Sequence, residues 1–126
     1  MPKFRIDLTE STFRRDLEAA RKRHPTIVED LTELFEALEN DHTLGDWIPG
    51  LKAEVRKVRV GVRKQNIGKR GGYRLIYLVD REAQIIKPLF CHFKAQLAVV
   101  PNETILKLLK TIAETQPPPV RPEQTN

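Results

Sequence analysis

The spacing of apolar and polar residues changes several times along the chain, and each change marks an element. Over residues 3–8, Phe4, Ile6 and Leu8 alternate with Lys3, Arg5 and Asp7, the period of a half-buried strand. The pattern then turns helical. Phe13, Leu17 and Ala20 fall at i, i+4 and i+7, and Pro25 disfavours the α region at His24, so the helix should end there. A second helix follows, in which Thr26 and Glu29 have capping-box spacing and Ile27, Val28, Leu31, Leu34, Phe35 and Leu38 form one apolar stripe. The two helices are expected to form a hairpin, with Glu29, Asp30, Glu33, Glu36 and Glu39 as a solvated acidic face.

Residues 40–50 carry Gly45, Pro49 and Gly50 and read as a turn, with Trp47 expected to anchor it on the core. Over residues 55–62, Val58, Val60 and Val62 alternate with Lys57, Arg59 and Gly61, which predicts a strand with one buried and one basic face. Residues 65–72 read as a glycine-rich turn. Residues 73–79 and 84–93 are β-branched and aromatic runs with hairpin spacing, and Pro88 calls for an edge position or a bulge because proline cannot donate to the ladder. A last helix begins near Pro101 and carries Ile105, Leu108, Leu109 and Ile112 on one face. This order predicts one α+β domain over residues 1–115: a small antiparallel sheet with an N-terminal helical hairpin and a C-terminal helix packed on one face. Residues 116–126, rich in proline, are expected to be a disordered tail.

At 126 residues and 40% hydrophobic content the chain supports one core. Its single cysteine, Cys91, excludes disulfide frameworks and cysteine-rich zinc sites, and His24 and His42 show no metal-ligand spacing, so neither metal nor cofactor is expected. No apolar stretch approaches the roughly 20 residues that cross a bilayer, and the opening MPKFRIDLTE has no apolar leader core. The expectation is a cytoplasmic protein with no membrane partner. The net charge of +5 is unevenly placed. Residues 52–74 hold nine basic residues against one acid, Glu54, while the rest of the chain carries an excess of acid. Such focusing is the electrostatic footprint of a nucleic-acid partner. The period of two puts Lys57, Arg59 and Arg63 on one strand face, and glycines at 68, 71 and 72 would let phosphate approach the backbone.

The run RKVRVGVRKQNIGKRGGYRLIYLVD, followed by a strand ending LFCHFK, resembles the RelE/ParE toxin superfamily of bacterial type II toxin-antitoxin systems. Within it, the chain is most similar to the RelE and HigB-like ribosome-dependent messenger RNA endonucleases, in which a basic strand precedes a GK-x-GG-x-R-x-IY strand. The likeness covers residues 50–94, is looser over the two N-terminal helices, and is absent from the tail. It implies a RelE-like fold and a metal-independent endoribonuclease (mRNA interferase) that inhibits translation. A ribose 2′-OH would attack the neighbouring phosphate and leave a 2′,3′-cyclic phosphate. The implied partners are the ribosome, messenger RNA and a cognate antitoxin, the last expected on the apolar stripe of the final helix.

The resemblance also implies roles for residues. Lys57, Arg59 and Arg74 would stabilise charge on the phosphoryl oxygens. His92, two residues before Lys94 where relatives place a tyrosine or histidine, would be the general acid. Arg56, Arg63, Lys64, Lys69, Arg70 and Lys94 would grip RNA; Phe90 would stack on a base or pack in the core, and Glu54 is a candidate base or the partner of a plain salt bridge to Arg56 or Lys52. Two alternatives stay open: a ParE-like toxin that binds gyrase without nuclease activity, and an RNA-binding module without catalysis.

Overall fold

The computed structural model describes residues 3–115, which form three α-helices and five strands in one sheet. The elements are β1 (Arg5–Ile6), α1 (Ser11–Arg23), α2 (Ile27–Asn40), β2 (Asp46–Trp47), β3 (Val55–Val60), a 3-10 turn (Arg63–Gln65), β4 (Tyr73–Asp80), β5 (Ile85–Phe93) and α3 (Asn102–Thr115). The expected tail lies outside the described residues. No helix among them is long and apolar enough to cross a membrane.

The sheet order is β1-β5-β4-β3-β2. β3, β4 and β5 are antiparallel as expected, β2 adds an antiparallel edge strand where a turn is expected, and β1 runs parallel to β5, so the sheet is mixed. The helical hairpin accounts for this, because it carries the chain away from β1 and back before the meander of β2 to β5 begins. Pro88 sits at a β-bulge: the β4–β5 register shifts between Ile76 and Tyr77, where Leu89 is the extra residue. The strand edge that β1 leaves open on β5 is closed by α1, whose Thr12 hydroxyl donates to the Leu89 carbonyl at 2.7 Å and whose Asp16 carboxylate accepts the Cys91 N–H at 3.0 Å.

β4 is apolar on both sides, and that decides where the helices go. Tyr73, Leu75, Tyr77 and Val79 face the hairpin and pack with Phe13, Leu31 and Leu38. Ile76 points the other way, into a second cluster with Val55, Leu89, Phe90, Ile105 and Ile112. The C-terminal helix therefore covers the face opposite the hairpin, not the same one. Its apolar stripe is spent on its own sheet, since Ile105 and Ile112 are buried and Leu108 and Leu109 pack against the same cluster, and the stripe is not free for an antitoxin.

Three local expectations are corrected. Thr26 makes no side-chain cap, and Glu29 reaches Lys64 instead, so there is no capping box. Trp47 does not anchor a loop on the core: it lies on the two-residue edge strand β2 and is 52% exposed, with the Arg56 guanidinium 5.2 Å from its ring centroid. The acidic face of α2 is not simply solvated, because Glu29, Asp30 and Glu33 pair with Lys64 and Arg63.

Candidate nucleic-acid interface

Strand register assembles the site on the α3 side of the sheet. One row across β3, β4 and β5 reads Arg59, Arg74, His92, and the next reads Asp46, Lys57, Ile76, Phe90, starting on β2. Alternation sends both rows to the same face. The α3 cluster covers Ile76 and Phe90 and leaves the charged end of the rows open. There a cleft of about 590 Å³ is lined by Leu44, Asp46, Lys57, Arg59, Lys69 and Arg74, together with Val58. Four cations and one carboxylate thus converge from two strands, the edge strand and the glycine-rich turn.

Arg74 is 7% exposed, and its guanidinium faces inward to the turn. It donates to the Lys69 carbonyl at 3.0 Å, the Tyr73 carbonyl at 3.2 Å and the Arg70 carbonyl at 2.9 Å. The side chain staples residues 69–74 into one shape and so places Lys69 at the cleft. Burial, and then the Arg59 charge, lower its pKa, although an arginine remains a cation through the neutral range. Gly72 makes the turn possible in another way, because a Cβ there would lie 2.2 Å from the Val60 carbonyl oxygen. Gly68 and Gly71 border open space.

His92 is 7% exposed. Its Nδ1 lies 2.7 Å from the Leu97 carbonyl oxygen, which can only accept, so Nδ1 carries a proton. Its Nε2 is buried and has no partner. Burial pushes its pKa below the ordinary value, the Leu97 bond and the Asp16 charge oppose that shift, and Arg74 and Lys57 add to it. At neutral pH the ring is therefore neutral with a free lone pair at Nε2, a proton acceptor. The expected general acid has no proton to spare there.

Glu54, the candidate base, lies elsewhere. It is 8% exposed and bound by two guanidiniums, with Arg81 Nε at 2.5 Å and Nη2 at 3.1 Å and Arg56 Nε at 2.8 Å. Burial alone would raise its pKa, but the bonds and charges of Arg81 and Arg56 hold it below the usual range. A carboxylate fixed in this way is a structural tie between β3 and the β4–β5 turn and a poor base.

The other basic residues divide. Lys69 lines the cleft and Arg70 is exposed on the same turn. Arg56 stands on the opposite sheet face, held by Glu54 and the Gly45 carbonyl, so it is not a surface RNA contact. Arg63 does not continue the Lys57 and Arg59 face; the chain bends into the 3-10 turn, and Arg63 and Lys64 pair with the carboxylates of α2. Lys94 is exposed just past β5, outside the residues that line the cleft. Phe90 is buried under α3 and has no face to offer a base.

Asp46 and Asp16 were not singled out by sequence reasoning. Asp46 sits in a stretch whose glycines and proline read as turn, and a two-residue strand has no periodicity to detect. Asp16 lies on the polar side of a helix, and only the packing of α1 along β5 brings it near His92. No protein-family model matches the chain, and no curated protein matches it.

Proposed function

We propose that the protein is the toxin of a type II toxin-antitoxin pair, an endoribonuclease that cleaves messenger RNA on the ribosome. The observation that carries this reading is the row of Arg59, Arg74 and His92, whose two arginines line a cleft where Lys57 and Lys69 converge. Cleavage by 2′-OH attack forms the O2′–P bond, breaks the P–O5′ bond and needs a proton taken from the 2′-oxygen and one given to the 5′-oxygen. Lys57, Arg59 and Lys69 would hold the phosphate and offset its added negative charge, while Arg74 holds the turn in place. The acceptor of the 2′ proton would be neutral His92, beside Arg74 in the row, or Asp46, the one carboxylate in the cleft lining, and the ammonium of Lys57 or Lys69 would give the 5′-oxygen its proton as the P–O5′ bond breaks. The antitoxin would act by covering this cleft.

The deciding experiment is inducible expression with mapping of transcript 5′ ends on ribosomes. The reading expects cuts within translated codons and 2′,3′-cyclic phosphate ends, and intact transcripts with normal growth would overturn it. A second reading, RNA binding without cleavage, is favoured by the sealed Nε2 of His92 and the committed guanidinium of Arg74. It expects RNA to be bound and left whole.

A further inference from the structure

A second cavity, of about 550 Å³, opens on the other side of β3, between that strand and α2. Its walls are Leu34, Ala37, Leu44, Val58, Val60 and Ile67, and its rim carries Asp30 and Glu33, both bonded to Arg63. Leu44, Val58, Arg59 and Lys69 line this groove and the cationic cleft alike, so the two spaces adjoin around the edge of β3. That edge is bare because β2 pairs with β3 only at Arg56 and Lys57.

The two spaces differ in charge. The cleft collects cations and suits phosphate. The groove is walled by aliphatic side chains, and its two acids are offset by Arg63 together with Arg59 and Lys69 at its border with the cleft, so its interior suits a flat neutral group. A nucleotide divides in the same way, into an anionic phosphate and a neutral base, joined by a sugar that can pass an open strand edge. We propose that the α2–β3 groove receives a nucleobase of the RNA whose phosphate occupies the cleft, and so contributes base selectivity. The inference rests on the reading of the cleft as a phosphate site. The Asp30 and Glu33 carboxylates have lone pairs left over from Arg63, and acceptors of that kind match a base edge that presents N–H donors, as guanine does.

Guanosine 5′-monophosphate and ribose 5-phosphate are the probes, titrated against the full chain by calorimetry and methyl NMR. Guanosine 5′-monophosphate should bind about tenfold tighter or more, since that needs only the burial of part of a base face against the aliphatic walls. It should shift the methyl signals of Leu34, Ala37 and Ile67, which ribose 5-phosphate should leave in place. Ala37 is exposed, so Ala37→Phe fills the groove from a helix surface; it should remove the nucleotide's advantage and leave ribose 5-phosphate binding unchanged. Equal binding of the two probes, or a nucleotide advantage that survives Ala37→Phe with no methyl shifts in wild type, overturns the base pocket and assigns the groove to another occupant such as a protein partner. Failure of both probes to bind overturns the phosphate cleft as well.

Discussion

Arg59 stands opposite Arg74 across the β3–β4 ladder, two like charges in register, and His92 completes their row on β5. No carboxylate among the described residues pairs with either guanidinium. Like charges directly opposite on a sheet are destabilising, by about 0.2–1 kcal/mol for a cross-strand pair. On the proposed reading, local stability is given up where a phosphate would be held. Arg59→Thr should therefore raise Tm by a few degrees, since threonine favours strands. The same variant should bind RNA and inorganic phosphate more weakly. A lower Tm with unchanged RNA affinity would show that Arg59 serves the fold.

Arg74 acts through geometry more than through charge. A lysine keeps the charge and cannot reach the carbonyls of Lys69, Arg70 and Tyr73 together. Arg74→Lys should therefore behave nearly as Arg74→Ala does. Amide hydrogen exchange over residues 68–72 should speed up in both variants, and RNA affinity should fall together with it. Full affinity in Arg74→Lys would return the guanidinium to simple charge stabilisation.

Tyr77 ties the turn before β2 to the sheet. Its hydroxyl accepts the Gly45 N–H at 2.8 Å and donates to the His42 carbonyl at 2.9 Å. Tyr77→Phe strands a donor and an acceptor, each worth about 1–3 kcal/mol when buried and unpaired. The expected loss in denaturant unfolding is about 1–3 kcal/mol, with the slope unchanged. A loss under about 0.5 kcal/mol would mean that water replaces the hydroxyl.

Two histidines make stability depend on pH in a defined window. His24 is buried with Nδ1 2.8 Å from the Tyr73 hydroxyl, and burial, then the Arg23 charge, lowers its pKa. His92 is lowered too, chiefly by burial. A folded pKa below the unfolded value near 6.5 means that the unfolded chain binds protons first as pH falls. Stability is complete above about pH 6.5 and declines below it toward the lower folded values. His24→Gln should flatten the fall in Tm between about pH 7 and 5, a window above the one where Glu54 and Asp41, both lowered, begin to protonate. A decline as steep as wild type in that variant would exclude His24 as a source.

Much of the fold is legible from residue spacing, for reasons tied to particular residues. The β3–β5 meander announces itself through β-branched runs, and Pro88 marks a bulge because its missing N–H must fall where the ladder breaks. The side of the sheet taken by α3 is less visible, although two of the four even positions of β4, Ile76 and Leu78, are as apolar as the odd ones. That double-sided pattern is a signal for two covered faces. The candidate site divides along the same line. Period-two alternation places Lys57 and Arg59 together, and hairpin register adds Arg74 and His92. Alternation fails for Arg63, where the chain leaves the strand, and charge counting fails for Arg63 and Lys64, because a sequence does not show which distant opposite charges meet, whereas the Glu54–Arg56 pair, two residues apart, is within its reach. The hydrogen-bond commitments of Arg74 and His92 depend on loops that fold back, and no local pattern encodes them.

The protonation state of His92 separates two catalytic roles by sign. As a proton acceptor it works when neutral, so single-turnover cleavage should rise with pH up to its lowered pKa and stay level through neutrality. As a general acid it would give the opposite slope, with the rate falling as pH climbs past the same value. The variant must also keep the Nδ1 bond to Leu97, or loss of packing will be mistaken for loss of chemistry. Asparagine does this, because its amide nitrogen falls near the Nδ1 position and can donate to the same carbonyl. His92→Asn should melt close to wild type and lose roughly 10²–10⁴ in single-turnover rate, with ribosome affinity nearly unchanged. His92→Ala should lose the rate and stability together. Full activity in a stable His92→Asn protein would make His92 a core residue and leave Asp46, which lines the cleft, as the proton acceptor.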